Sequence, residues 1–307
     1  MMGVCDRIRE VDRIGDQRGV GLSPSLISKA GWFSTLIPPF FVQKMGGTLG
    51  KGFAVDIDND IFLSIVIPAY NEEKRLSRTI SEIAKYLASF SFKSELIIVD
   101  DGSTDRTAQL IDKMTVSHPY LQVIHLKKNR GKGFAVRKGI LEAKGKYILF
   151  SDADLSTPIS EAGKLLIWLY RGYDIAIGSR KLPQSKIEVR QSILREIAGS
   201  VFNMIVQTLI LQGVKDTQCG FKCFTRKSAK HIFREQRLNK FSFDVEVLYL
   251  ANKYGYKIKE VPVRWLNSSG TTIRLMRDSL KMFLDLLKVR YNDIVGNYSP
   301  SDIRKAD

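Results

Sequence analysis

Histidine and cysteine are scarce in this 307-residue chain, at three each, and their spacing excludes most of the chemistry they usually carry. Cys5, Cys219 and Cys223 form no even set for a disulfide framework, and the C-x3-C of Cys219 and Cys223 has no histidine near it to complete a zinc site. A reducing compartment fits that usage. His118, His125 and His231 fall far apart with no H-E-x-x-H spacing, so a metal in this chain has to be held by carboxylates. Long apolar runs are missing too. AGWFSTLIPPFFVQKMGG is broken by Pro38 and Pro39, and GSVFNMIVQTLILQG falls short of the ~20 residues that span a bilayer. The start, MMGVCDRIREVDRIGDQ, carries acidic residues early and lacks the charged-then-apolar layout of a secretory signal.

Charge, by contrast, is abundant and one-sided: 48 Lys and Arg against 32 Asp and Glu give a formal +16. Such a chain attracts polyanions, whether nucleic acid, an anionic membrane face or phosphorylated substrates. No helix-turn-helix, RNP or zinc-finger pattern is present, so nucleic acid is not an expected partner, and membrane or phosphate chemistry is. With 44% apolar residues the chain can build a proper core.

Regular patterning begins at Phe62; the preceding residues show many glycines and no sustained periodicity. FLSIVIPAY, ELIIVDD, LQVIHLK, YILFSDAD and DIAIGSR are short runs rich in Ile, Val and Leu, and helix-like stretches start near Glu72, Asp105, Gly131 and Ile159. This alternation predicts βαβ units, hence an α/β fold with a mostly parallel, Rossmann-like sheet and helices on both faces. After Arg180 it weakens. A helix near 190–212, a hairpin or strand at CGFKCFT, a helix around FDVEVLYLANKYG, a strand KIKEVPVRW and a basic amphipathic helix from about Thr272 to Tyr291 are expected there.

Ligands of such sheets bind beyond the carboxyl ends of the strands. Those ends carry PAYNEE, DDGSTD, NRGKG, DADLST and GSR in turn. Asp152 and Asp154 follow directly on the apolar YILF. Because side chains alternate across a strand, D-x-D can put both carboxylates on one side, where a divalent cation between them and another anion relieves their repulsion; oxygen ligands suit Mg2+ or Mn2+. An isolated D-x-D is more often a polar turn with one capping aspartate, but here acidic and polar residues recur along one edge. NRGKG has glycines that let backbone N–H groups approach a diphosphate, with Lys132 as counter-charge at a helix N-terminus; it lacks the P-loop spacing and reads equally well as a turn. Glu72 can be merely favourable at a helix start, and Asp105 reads as an N-cap or first-turn residue.

IPAYNEE, VDDGSTD, NRGKG and DADLS, in that order, resemble the nucleotide-sugar domain of family 2 glycosyltransferases with the GT-A fold. DTQCGFK, FDVE and EVPVRW look like the polyprenyl-phosphate branch, most like its dolichyl-phosphate beta-glucosyltransferases, and the likeness runs from about 62 to 290. It implies an N-terminal extension at 1–60, a nucleotide-sugar-binding subdomain at 61–180, an acceptor-side subdomain at 181–270 and a basic amphipathic helix and tail at 271–307. It implies that Pro68 and Tyr70 frame the base, that Glu72 and Asp101 contact base or ribose, and that Asp100 orients its loop. Lys132 and Ala153 fall on the nucleotide-sugar side. Asp152 and Asp154 would hold the metal, with Ser156 in a place where some relatives have glutamine. Arg180, Arg195 and Ser200 resemble residues that grip the acceptor phosphate, although Arg195 can equally be a solvated basic face. Asp216, Gln218, Asp244 and Glu246 would line the sugar pocket, with Asp244 and Glu246 alternatively buried network residues.

The activity so implied is inverting transfer of a hexose, with UDP-glucose favoured over GDP-mannose, onto a polyprenyl or dolichyl phosphate, by a chain lying peripherally on the cytoplasmic face of a membrane. Asp216 would orient, with general-base action as the lesser alternative. EVPVRW has Val261 where processive synthases have the glutamine of Q-x-x-R-W, which disfavours a polymerising enzyme. A glycosyltransferase with a non-lipid acceptor and a non-catalytic nucleotide-sugar-binding module stand as alternatives, and the intact D-x-D favours an enzyme over the module.

Overall fold

The computed structural model describes residues 61–188, 193–266 and 275–298, with the side chains of 193–198, 200 and 275–280 outside that description. The extension at 1–60 therefore lies outside the described residues. Strand β1 (Leu63–Ala69) leads to helix α1 (Leu76–Ala88), β2 (Ser94–Asp100) to α2 (Thr107–Thr115), β3 (Leu121–His125) to α3 (Lys132–Glu142) and β4 (Tyr147–Ser151), through a 3-10 turn, to α4 (Ala162–Tyr170) and β5 (Ile175–Ser179). There follow β6 (Lys186–Ile187), α5 (Ile193–Leu209), β7 (Phe221–Thr225), α6 (Arg226–Glu235), α7 (Phe243–Lys253), β8 (Ile258–Pro262), β9 (Arg264–Trp265) and α8 (Leu275–Ile294).

Seven strands form one sheet in the order β3-β2-β1-β4-β7-β5-β8. All its pairs are parallel except the two made by β7, which runs antiparallel between β4 and β5. Helices cover both faces, so the inner strands are buried at successive positions: Leu63 to Ile67 and Tyr147 to Ser151 are buried without interruption and are apolar apart from Ser64 and Ser151. The chain order reverses between β1 and β4, which makes the crevice between their carboxyl ends the switch point where ligands of open sheets bind.

CGFKCFT forms no hairpin. It has no sequence-adjacent partner and slots between two parallel neighbours, with Ser151 opposite Phe221. Because β7 runs backwards, its entry turn at Cys219 and Gly220 arrives at the same edge as the carboxyl ends of β1, β2, β4 and β5. KIKEVPVRW divides into β8, which extends the main sheet beside β5, and β9, which leaves it to pair with β6. Helix α6, whose Thr225 hydroxyl caps Ser228 N, was not expected from the sequence. Its apolar residues Ala229, Ile232 and Phe233 are buried, and the basic residues between them hide that stripe from a reading of average polarity.

Candidate active site

The loops after β1 and β2 are fastened together by side chains. Asn71 adopts a left-handed conformation (φ 55°). Its amide donates to Ser103 Oγ at 3.0 Å, while its side-chain oxygen accepts from Thr104 N at 2.8 Å. Glu72 N donates to Thr107 Oγ1 at 2.8 Å. Asp105 accepts from Thr107 N at 2.9 Å and from Glu73 N at 3.3 Å, so the residue that opens α2 also holds the PAYNEE loop. Helix α1 thus starts at Leu76, later than the pattern near Glu72 suggested. Tyr70 is left 43% exposed at the lip, with Pro68 half-buried behind it. Glu72 pairs with Arg75; burial pushes its carboxyl up, opposed by that guanidinium.

Beyond β4 the strand's alternation continues into the turn: Ser151, Ala153, Leu155 and Thr157 are buried, whereas Asp152, Asp154 and Ser156 are half-exposed. Both carboxylates are therefore on the cleft side. Leu155 is forced to φ 46°, and the turn is closed by Leu155 N on Asp152 O (3.2 Å) and Ser156 N on Asp154 Oδ1 (2.9 Å). Strain of this kind in a non-glycine residue marks a loop whose shape is imposed by its surroundings. Those surroundings are Thr79 on α1, whose hydroxyl donates to Ala153 O at 2.5 Å, and Gly220, whose carbonyl accepts from Asp152 N at 3.1 Å. Gly220 abuts the carboxylate so closely that a Cβ there would lie 2.1 Å from Asp152 Oδ2.

Lys132, the first residue of α3, places its ammonium 2.6 Å from Asp152 Oδ1. Protein surrounds the pair, yet 24% of the Lys132 and 34% of the Asp152 side chain stay open to solvent. Burial pushes the Asp152 carboxyl up, and the Asp154 and Asp244 charges add to it against Lys132. Burial would lower the Lys132 ammonium, but Asp152 and Asp244 outweigh it and raise it. Lys132 therefore stays a cation, facing the carboxylates. Among the described residues no three His, Cys, Asp or Glu converge as a self-sufficient metal cage. Asp152 and Asp154 are two hard oxygen donors on one turn, a set that fits a divalent ion completing its shell with water and phosphate.

Across the cleft, Arg180 grips Asp216 in a fork: Nε to Oδ2 and Nη2 to Oδ1, each 2.8 Å, with Arg180 N on Oδ2 at 2.9 Å. Burial opposes both charges, but their mutual attraction prevails, lowering the Asp216 carboxyl and raising the Arg180 guanidinium. Glu260 on β8 fixes the acid from behind by accepting Lys215 N and Asp216 N at 2.8 and 2.9 Å. The Arg180 guanidinium also lies 5.5 Å from the Trp265 ring centre, so the tryptophan of EVPVRW reaches this side of the site even without the glutamine. Gln218 is half-buried on the turn between Asp216 and Gly220. Arg195 and Ser200 belong to α5, but their side chains lie outside the description.

Four acids of this region are bonded within the protein. Asp101, 2% exposed, accepts Arg130 N and Gly131 N at 2.8 Å each, so it clamps the NRGKG loop with both oxygens. Asp100 takes Ser103 N and His125 Nδ1, an orienting contact. Asp244 pairs with the buried Lys222, whose ammonium also donates to Cys219 O at 2.7 Å. Glu246 is fully buried on backbone amides and a tyrosine hydroxyl. Asp244 and Glu246 are both buried and bonded within the protein. Sequence reasoning missed Arg75, Lys222 and Glu260. A lysine inside the apolar strand FKCFT, and an arginine three residues after Glu72, were the available signals.

The sequence profile of glycosyl transferase family 2 matches residues 64–233. A dolichyl-phosphate beta-glucosyltransferase of Dictyostelium discoideum is 39% identical over 252 residues, covering 78% of this chain and 77% of that one. The enzyme of the same description from Homo sapiens is 36% identical over 79% of each chain. Among solved structures, glucosyl-3-phosphoglycerate synthase from Mycobacterium tuberculosis, in complex with Mn2+, UDP and phosphoglyceric acid, superposes with a TM-score of 0.53 at 17% identity, over 79% of this chain and 80% of that one. The seven-stranded sheet with its flanking helices is accordingly of the GT-A type. With a family profile spanning the sheet from β1 to α6 and relatives of one activity matched over three quarters of its length, this chain belongs to glycosyl transferase family 2 and is a glycosyltransferase.

Proposed function

We propose that the chain transfers glucose from UDP-glucose to a polyprenyl phosphate such as dolichyl phosphate, with inversion at the anomeric carbon. The observation that carries this reading is the pairing of an outward D-x-D with Arg180 locked beside it, in a chain whose relatives share the dolichyl-phosphate beta-glucosyltransferase description. Pro68, Tyr70 and Glu72 receive the nucleoside, and Asp101 acts on it through the loop it clamps. Lys132 leaves Asp152 for the diphosphate, with Ala153 and Gln218 lining the path to the sugar. Asp152 and Asp154, with Ser156 as a candidate third contact, would hold Mg2+ or Mn2+. When bound, that ion would supply Lewis-acid neutralisation of charge on the departing diphosphate.

The acceptor is a phosphate monoester with a second pKa of about 6, so at neutral pH it is largely a dianion. Its oxygen forms the new bond to C1 while the C1–O bond to UDP breaks, with the electron pair leaving on UDP and no proton in flight. No protein base is required. Asp216 supports that scheme, since both its oxygens are engaged by Arg180 and its carboxyl is held low. Its task is to aim the guanidinium, whose unused N–H groups, with Arg195 and Ser200, meet the acceptor phosphate. The division at about residue 180 is one of motifs within one sheet: the nucleotide-binding motifs stand before it, and the residues for the acceptor phosphate at it and after it.

Among the described residues no helix is long and apolar enough to cross a membrane. The lipid acceptor calls for a peripheral contact with a cytoplasmic membrane face. Val201, Met204 and Leu209 on α5, and Leu284, Leu287 and Tyr291 on α8, are exposed apolar side chains suited to it, whereas Ile205 packs on the core.

Incubation with UDP-glucose or GDP-mannose, Mn2+ and a polyprenyl phosphate, followed by mass analysis of the lipid, tests the reading. Glucosyl lipid from UDP-glucose is expected. A mannosyl lipid with no turnover of UDP-glucose would overturn the donor assignment.

A further inference from the structure

The loop that presents Lys132 is held from a place far away in sequence. Gly131 has φ 104°, and a Cβ there would lie 2.4 Å from Asn239 O; at Gly133 a Cβ would lie 2.8 Å from Leu238 O and 2.9 Å from Lys240 O. The strap of residues 236–240 thus presses on the glycine loop at distances open only to glycine. It is also bonded to it: Phe134 N donates to Asn239 O at 3.1 Å, and Gln236 Nε2 to Gly133 O at 3.0 Å.

The strap in turn hangs on Glu246. Arg237 N donates to its Oε1 at 3.0 Å and Leu238 N to its Oε2 at 2.8 Å. The third donor to this fully buried carboxylate is the hydroxyl of Tyr298, at 2.5 Å, and Tyr298 is itself only 1% exposed. Arg237 adds a second tie to the same end of the chain, donating through Nε and Nη2 to Asn297 O at 3.2 and 2.7 Å. Burying a carboxylate is costly unless its hydrogen bonds are complete. Here every one of those bonds serves the strap or its anchor beyond α8.

We propose that Glu246 and Tyr298 are positioning residues of the donor site: they fix the strap that fixes the glycine loop, and so set where Lys132 meets the diphosphate. The inference rests on the nucleotide-sugar reading above. It makes the segment after α8 part of the donor machinery, although it carries none of the donor motifs.

The test is Tyr298→Phe in the full chain, which keeps the ring and removes the hydroxyl. The readouts are affinity for UDP with Mn2+ by calorimetry, separate KM values for UDP-glucose and polyprenyl phosphate, and amide exchange at residues 130–134. We expect UDP affinity to weaken about 5-fold, the size of one lost buried hydrogen bond. Donor KM should rise alongside it, acceptor KM should hold, and exchange should quicken at 130–134 but not in β1. A lowered melting temperature with wild-type UDP affinity and wild-type loop exchange would overturn the proposal, leaving Tyr298 a purely structural residue. Should Tyr298→Phe not fold, Arg237→Ala removes the ties to Asn297 O, which hold the strap to the same segment; unchanged UDP affinity and loop exchange there overturn it equally. Wild-type protein that binds no UDP would sink the nucleotide-sugar reading itself, an outcome separate from a wild type that binds UDP and variants that match it.

Discussion

Two acid-x-acid pairs stand at the rim of the sheet and meet opposite fates. In D-A-D, Asp152 and Asp154 face the cleft together; in D-V-E, Asp244 and Glu246 are buried and part company, one to Lys222 and the other to the strap. The difference is one of local geometry. The turn after β4 keeps the strand's period of 2, so residues i and i+2 share a side, whereas in the first turn of α7 the same spacing is about 200° around the axis. A shared side leaves two anions facing one another and open to a cation. Opposite sides give each acid its own protein partner.

The largest test of this contrast is chemical. Asp152→Asn or Asp154→Asn should lower UDP-glucose turnover by about 100-fold or more while the melting temperature stays near wild type, because charge stabilisation at the leaving group is lost and no buried bond network is. Full turnover in a chelator would break the comparison. Gly220→Ala should come next. Its methyl must displace the Asp152 carboxylate, and a misplacement of this size costs turnover on the order of 10- to 100-fold. Unchanged kinetics would mean that Gly220 does not set the acid's position.

On the buried side the effect should be on stability. Lys222→Met leaves Asp244 uncompensated and should cost about 3–5 kcal/mol of unfolding free energy, measured by urea titration, with much of it restored in Lys222→Met/Asp244→Leu. A single variant as stable as wild type would show that the pair is dispensable. The smallest effect sharpens the comparison with pH. The Asp216 carboxyl, though buried, is held below its ordinary 3.8 by Arg180, so its stabilisation is complete above that value and disappears as pH falls through the lower native one. The gap in urea midpoint between wild type and Asp216→Asn should be constant above about pH 5 and narrow below 3.8. A gap that does not narrow would mean the fork contributes through shape and not through charge.

The alternation of strand and helix from Phe62 to Arg180 could be read from residue pattern because parallel strands buried on both faces must be continuously apolar. The loops at their carboxyl ends, and thus PAYNEE, NRGKG and DADLST as one rim, followed from that. The period of 2 through D-A-D was equally legible. Where partners are distant in sequence, nothing local shows them. The amides of Arg130 and Gly131, on another loop, take up both oxygens of Asp101. The partners of Glu246 likewise come from other segments.

The sequence by itself determined the βαβ order, the carboxylate character of any metal site and the presence of two acids on one side of a turn, since each follows from contacts within a few residues. Only the tertiary structure decided that β7 enters backwards to put Gly220 against Asp152, that Arg180 and Asp216 interlock, and that Tyr298 closes on Glu246. Those pairings join residues 36, 52 and 68 positions apart. Contacts of that range obey no sequence period, because their partners are brought together by the closing of the sheet and the packing of helices on it.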